Sequence, residues 1–148
     1  PCASYPIILN FEHIKKLKKI YAKYESNALI CYDEKTKKHL LYTFGINYLG
    51  QLGFKNKISK KQLNWNLPNL IDYFQKNNYD VLNIKFGDIY SAVLVNNEKE
   101  QREFYISGEF NQKKYEKFTK IIYDFDLNSN LVLAFFFLTH ARAVTLSV

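Results

Sequence analysis

The chain has 148 residues, of which 47% are hydrophobic and 17% aromatic, and its formal net charge is +7. This composition excludes a disordered or collagen-like chain, and the length is sufficient for one domain with a buried core. The longest apolar run, residues 131–138, is too short to cross a bilayer as a helix, which needs about 20 residues. The positive charge would attract acidic proteins, nucleic acids or anionic lipids, and it does not select among them.

The start of the chain and its cysteines indicate where the protein works. No basic stretch followed by an apolar stretch opens the chain, as a secretory signal would require. Cys2 and Cys31 form no C-x-x-C motif and are too few for a disulfide framework. We therefore expect an intracellular location, in the cytoplasm, the cytoskeleton or the nucleus. Because the chain begins at Pro1 and contains no methionine, we expect it to be part of a longer product.

The predicted strands recur along the chain as successive units. The first two units contain strands at residues 5–9, 17–22, 27–32 and 40–44, and then at 69–72, 81–86, 91–95 and 103–107. Equivalent apolar positions return in each copy, with Ala28 matched by Ala92 and Ala143. A third unit, with strands predicted at 131–137 and 141–147, is cut off by the end of the chain.

Residues 14–24 allow a second interpretation. Ile14, Leu17, Ile20, Tyr21 and Tyr24 also fit helical spacing, and a basic amphipathic helix would indicate a membrane surface or an acidic partner. The corresponding second copy contains Gly87 and β-favouring residues, which make a poor helix. We therefore favour a strand.

The recurrence predicts an all-β fold, a partial β-propeller of about two to three four-stranded antiparallel blades in an incomplete ring. The first repeat with its following loop spans residues 1–66, the second 67–117 and the truncated third 118–148. Two to three blades cannot close a ring, and each blade buries only one face against its neighbour, so we expect the isolated fragment to need missing blades or a partner subunit for stability.

A glycine-rich motif follows the last strand of the first unit, in the segment LYTFGINYLGQLG at residues 41–53. The pattern G-x-N-x-x-G-Q-L-G is formed by Gly45, Asn47, Gly50, Gln51, Leu52 and Gly53. Glycines permit positive φ in a tight loop, and an asparagine can bond to nearby backbone. Gln51 can satisfy backbone groups of the neighbouring blade, while Leu52 fills the gap. In the second unit only Gly108 remains, and residues 108–114 form a divergent loop.

The motif resembles the signature of the regulator of chromosome condensation repeat family, whose repeats form the blades of a seven-bladed propeller. In the second unit Gly87, Ser91 and Ala92 match the glycine and the small pair that the family places before a buried strand, and Tyr90 replaces the family's histidine. The resemblance covers almost the whole chain as about two and a half repeats. It implies a propeller and, from the founding member, guanine-nucleotide exchange on a small GTPase. No residue here matches that member's catalytic loop.

No residue pattern indicates catalysis, a metal site or a cofactor. His13, His39 and His140 are scattered without carboxylates or cysteines at ligand spacing, and no phosphate-binding or nucleophile motif occurs. We predict a non-catalytic interaction or scaffold module that binds protein partners through its loops within a larger assembly. The alternatives are a guanine-nucleotide exchange factor and a chromatin or nucleic-acid binder that uses basic loops. The candidate partner-binding residues are Trp65, Lys57, Lys60 and Lys61.

Overall fold

The computed structural model describes residues 16–55 and 64–121, with the backbone alone at Asn64 and Trp65. Eight strands and one short helix lie in these ranges: β1 (Lys16–Lys23), β2 (Ser26–Asp33), β3 (Lys38–Ile46), β4 (Asn64–Leu70), α1 (Asp72–Lys76), β5 (Asp80–Phe86), β6 (Tyr90–Asn96), β7 (Arg102–Phe110) and β8 (Lys113–Ile121). The strands form two four-stranded antiparallel sheets, sheet A in the order β1-β2-β3-β4 and sheet B in the order β5-β6-β7-β8. The fold is all-β and of the partial-propeller type, as the repeat predicts. No helix within the described ranges is long and apolar enough to span a membrane.

The first three strands of the two sheets are built alike. β5, β6 and β7 begin at the same sequence offset from β1, β2 and β3. Both sheets carry a register shift in the first hairpin, between Leu17 and Lys19 in sheet A and between Val81 and Asn83 in sheet B. Residues 16–23 therefore form a strand, and the helical alternative for this segment is wrong in the part that the structure describes.

One strand assignment at the junction of the units is also wrong. Residues 69–72 were predicted to open the second unit, but Asn69 and Leu70 end β4, which pairs with β3 in sheet A. Asp72 begins the unpredicted helix α1. Pro68 lies in β4, where the register is irregular, and an irregular ladder tolerates the missing N–H of proline.

The divergent loop predicted for residues 108–114 is a tight hairpin instead. Asn111 and Gln112 both have positive φ and connect β7 directly to β8. Residues 118–121, which the sequence analysis gave to the third unit, therefore complete sheet B. The unit lengths differ because a long connection separates β3 from β4. The strands predicted at 5–9, 131–137 and 141–147 lie outside the described residues, and the repeat boundaries stay predictions.

The main core lies between the two sheets. Ala28, Ile30 and Leu41 of sheet A belong to the same buried cluster as Val93 and Val95 of sheet B. Aromatic and aliphatic side chains from the connections and from β7 and β8 complete it, namely Leu52, Phe74, Tyr105 and Phe118. The burial of Phe74 explains α1, because this short helix carries the ring into the space beside Tyr105, with ring centroids 5.2 Å apart.

Sheet B buries both of its faces. Ala92, Leu94, Phe104 and Ile106 alternate along β6 and β7 with the residues that face sheet A, and all four are buried. In the matching pairing of sheet A, the same positions hold the side chains that pack against sheet B. Two apolar faces on one antiparallel sheet are typical of a blade that is packed within a stack, and not of a sheet with one solvated face.

Candidate functional site

The glycine-rich connection after β3 lies against sheet B. The hydroxyl group of Ser91 donates a hydrogen bond to the carbonyl oxygen of Gln51, and that of Ser107 donates one to the carbonyl oxygen of Gly50, both at 2.6 Å. Leu52 is fully buried between the sheets, and its carbonyl oxygen accepts a hydrogen bond from the Thr43 hydroxyl at 2.7 Å. The connection therefore fastens one blade to the next.

Side-chain amides give this connection its shape. The backbone N–H of Leu52 donates to Asn47 Oδ1 at 2.8 Å, and Asn47 Nδ2 donates to the carbonyl oxygen of Phe54 at 3.0 Å. Gln51 Oε1 accepts from the N–H of Leu49 at 3.0 Å. The side chain of Gln51 thus bonds within the connection, and its backbone carbonyl makes the bond to the neighbouring blade.

Gly53 marks the closest approach between this connection and β8. Its φ is +85°, and a Cβ at this position would lie 1.9 Å from the ring of Phe118. Any other residue would both strain the backbone and displace a buried ring. Lys55 then forms an ion pair with Glu116 of β8, with 3.0 Å between Nζ and Oε2.

The remaining residues of the repeat signature lie at hairpin ends and in the sheets. Gly45 and Gly108 occupy corresponding positions in β3 and β7, where they pair with Ser26 and Tyr90. Gly87 follows β5, and its N–H donates to the carbonyl oxygen of Tyr90 at 2.8 Å. Ala92 is buried in the centre of β6. These contacts are structural, and they do not bring the residues together into one site.

The candidate partner-binding residues are only partly covered by the structure. Lys57, Lys60 and Lys61 lie outside the described residues. The backbone of Trp65 belongs to β4 and pairs with Gly45. Their role in partner binding stays a prediction.

The described residues contain a different exposed surface, on β1. This strand is the edge of sheet A in the described part of the chain, and no acidic residue occurs between Lys16 and Tyr24. Pairing with β2 places the side chains of three lysines and one tyrosine on the side that faces sheet B: Lys16, Lys19, Tyr21 and Lys23. We call this the basic side of β1.

The opposite side of β1 is apolar. Leu17, Ile20 and Ala22 pair with Cys31, Leu29 and Asn27, so all three point away from sheet B. Leu17 is 51% exposed and Ile20 is 63% exposed. The register shift at residue 18 is what brings Leu17 to the same side as Ile20, although the two are three positions apart. We call Leu17, Ile20 and Ala22 the apolar side of β1.

An open cleft of about 460 Å³ lies at the end of β1, beside β5. Its lining includes Tyr21, Lys23, Tyr24 and Lys85. Lys23 Nζ lies 5.3 Å from the ring centroid of Tyr24, and Lys85 Nζ lies 5.9 Å from that of Tyr21. Lys23 also contacts the highly exposed carboxylate of Asp88 at 3.5 Å, a pairing that water screens strongly.

Hydrogen bonding holds the inner wall of the cleft. The hydroxyl group of Tyr21 donates to Asn83 Oδ1, which ties β1 to β5. Burial raises the pKa of Tyr21 above its ordinary value, so the phenol keeps its proton and its donor role at neutral pH. The cleft therefore combines tyrosine rings with the ammonium groups of Lys23 and Lys85.

The described residues contain no cluster that could bind a metal ion. No three His, Cys, Asp or Glu side chains in the described ranges lie close enough together to hold a metal ion. His39 instead joins the two sheets, since its Nδ1 lies 2.8 Å from Asp80 Oδ1 and its backbone N–H donates to the same oxygen at 2.6 Å. Burial raises the pKa of the Cys31 thiol to about 11, which makes it a poor nucleophile at neutral pH.

No protein-family model and no curated protein sequence matches the chain. The resemblance of the glycine-rich connection to the regulator of chromosome condensation repeats therefore stays a prediction.

Sequence analysis did not select the β1 surface. Its candidates are instead lysines of a predicted loop, Lys57, Lys60 and Lys61, together with Trp65. A signal for β1 was present, because lysines alternate with apolar residues over residues 16–23 once a bulge at residue 18 is allowed. The bulge could not be predicted from the sequence, and without a bulge the same residues also fit a helix.

Proposed function

We propose that the chain is a non-catalytic interaction module that binds a protein partner through β1. The observation that carries this proposal is the division of β1 into a basic side and an apolar side, both next to an exposed sheet edge. Lys16 and Lys19 lie on one side, and the half-exposed Leu17 and Ile20 lie on the other.

This division favours protein over nucleic acid as the partner. Binding of a phosphate backbone needs cations, and bases need aromatic platforms, but neither uses exposed Leu17 and Ile20. A protein interface combines an apolar centre with charged groups at its rim. Burial of the apolar side of β1 by a partner would stabilise the complex, while the lysines would select acidic partners.

The propeller-like arrangement supports a scaffold role. Sheet B is packed on both faces and the connection after β3 is bonded into the sheet stack, so the blades supply a rigid frame for β1. Relationship to the regulator of chromosome condensation repeats is part of this proposal, and it is supported by Asn47 and the three glycines of the signature loop. Membership of a larger assembly would supply the further blades that a closed ring needs.

Selection from a displayed library of random peptides tests the proposal. We expect enrichment of peptides that carry both acidic and apolar residues. Fluorescence anisotropy with a selected peptide should then show a loss of affinity of about tenfold or more for the variant Lys16→Glu/Lys19→Glu. The matched control is Lys113→Glu/Lys114→Glu, which reverses two exposed lysines at the start of β8.

The same assay separates protein binding from general attraction to polyanions. Ile20→Ser should weaken the peptide complex and leave binding of single-stranded DNA unchanged, because the isoleucine contributes only apolar contact. Equal losses for the β1 and β8 charge reversals, or no selected peptide, would contradict the proposal. Stimulated nucleotide release from a small GTPase would replace it with the exchange-factor alternative.

A further inference from the structure

The turn after β1 holds an aromatic residue in a backbone conformation that suits glycine. Tyr24 and Glu25 form the two-residue connection of the β1–β2 hairpin, and Tyr24 has φ of 52°. The first position of such a turn normally carries glycine, asparagine or aspartate, since a bulky side chain is strained there. The counterpart of Tyr24 in the β5–β6 turn is Asp88, whose φ is not positive. The repeat itself therefore does not impose the strain.

The side chain of Tyr24 is not used for packing. It is 74% exposed, and its ring lies at the mouth of the cleft under the ammonium group of Lys23. Apart from this contact with Lys23 the ring gains little burial, so packing does not offset the strain of the backbone. Residues of this kind are found where binding requires them.

The geometry of β1 indicates the form of the ligand. At a sheet edge, alternate residues direct their N–H and C=O groups outward, where a further strand can pair with them. Side chains of an added strand point to alternate sides, in register with those of β1. A ligand that matches both sides of β1 therefore alternates acidic residues, next to the lysines, with apolar residues, next to Leu17 and Ile20.

We propose that the partner presents an extended segment of alternating acidic and apolar residues that pairs with β1, and that Tyr24 and Lys23 hold one of its carboxylates in the cleft. This inference rests on the proposed function and specifies the ligand that β1 binds. Tyr24 contributes an aromatic contact at the end of the added strand, and the ammonium group of Lys23 attracts the carboxylate. Asp88 opposes this carboxylate and lowers the affinity.

Fluorescence anisotropy with a labelled peptide of alternating glutamate and leucine tests the inference. The wild-type chain should bind this peptide more tightly than a peptide of the same composition in which the glutamates and the leucines form two separate blocks. Tyr24→Gly should weaken binding about tenfold, as expected for an aromatic anchor, while Tyr24→Phe keeps the affinity. Asp88→Asn should strengthen binding, because it removes the opposing charge.

Controls separate recognition from folding. Tyr24→Gly is expected to unfold at the same urea concentration as wild type or at a higher one, since glycine adopts positive φ without strain. Tyr48→Ala, which removes an exposed tyrosine from the connection after β3, should leave binding unchanged. Equal affinity for the alternating and block peptides, absence of binding to both, or unchanged affinity in Tyr24→Gly would overturn the inference. The proposed function would still stand if library-selected peptides depended on Lys16 and Lys19, and it would fail separately if they did not.

Discussion

Replacement of Leu52 by alanine tests the idea that the connection after β3 joins the two sheets. Leu52 is fully buried and belongs to the core cluster that both sheets share. Hydrogen bonds fix the backbone of the connection on both sides of this residue, from Thr43 at its carbonyl and from Ser91 at the preceding one. The cavity therefore cannot close by local collapse. We expect a loss of unfolding free energy of about 3 to 4 kcal/mol, within the upper part of the range for a buried Leu→Ala change.

Urea unfolding followed by tyrosine and tryptophan fluorescence measures this loss as a lower midpoint at an unchanged slope. Tyr48→Ala is the matched control, because Tyr48 lies in the same connection and is 55% exposed. Its effect should stay within about 0.5 kcal/mol, as for surface substitutions in general. If Leu52→Ala costs no more than Tyr48→Ala, the connection does not contribute to packing between the sheets and our account of the signature motif is wrong.

Three further predictions concern the hairpin of sheet B and two titratable groups. Gln112→Gly should raise the unfolding free energy by about 1 kcal/mol, because both residues of the β7–β8 turn have positive φ; an unchanged urea midpoint would refute this. Burial alone would raise the pKa of Glu103, but hydrogen bonds from Lys120, Asn97 and Tyr105 outweigh it and lower the pKa. The carboxylate therefore stabilises the fold fully above the ordinary pKa of glutamate and loses this effect as the pH falls through the lowered pKa, so Glu103→Gln should flatten that part of a stability–pH curve. With Cys2 replaced by serine, Cys31 should react with a thiol reagent at neutral pH only after unfolding, and rapid labelling of the native chain would contradict its burial.

Much of the secondary structure follows from local patterns. Alternating apolar residues predict β1 to β3 and β5 to β7 in the right places, because side chains of a strand repeat with a period of two wherever the strand lies. The glycine signature likewise predicts a shaped connection after β3, since positive φ is a local requirement that Gly53 meets by itself. The all-β architecture needed no information beyond these patterns.

The sequence analysis did not predict the fourth strand of either sheet correctly, namely β4 and β8. β4 pairs with β3 across a long connection, so no local pattern shows which sheet residues 64–70 join. β8 instead follows β7 after a two-residue turn, whose residues Asn111 and Gln112 adopt positive φ without the glycine that would mark a tight hairpin. The prediction therefore placed Asn69 in the second unit, and the predicted unit boundary after residue 117 falls within β8. The long connection in sheet A and the two-residue turn in sheet B also gave the two copies different lengths.

The candidate site was likewise decided in three dimensions. Lysines and apolar residues are visible in residues 16–24, but their separation onto two sides needs the register shift at residue 18. The cleft needs β5 to lie beside β1, which brings Lys85 to Tyr21 from a distant part of the chain. The sequence determines which side chains are present and how they are spaced locally. Strand pairing determines which of them come into contact, because it depends on non-local hydrogen bonds and on packing between sheets.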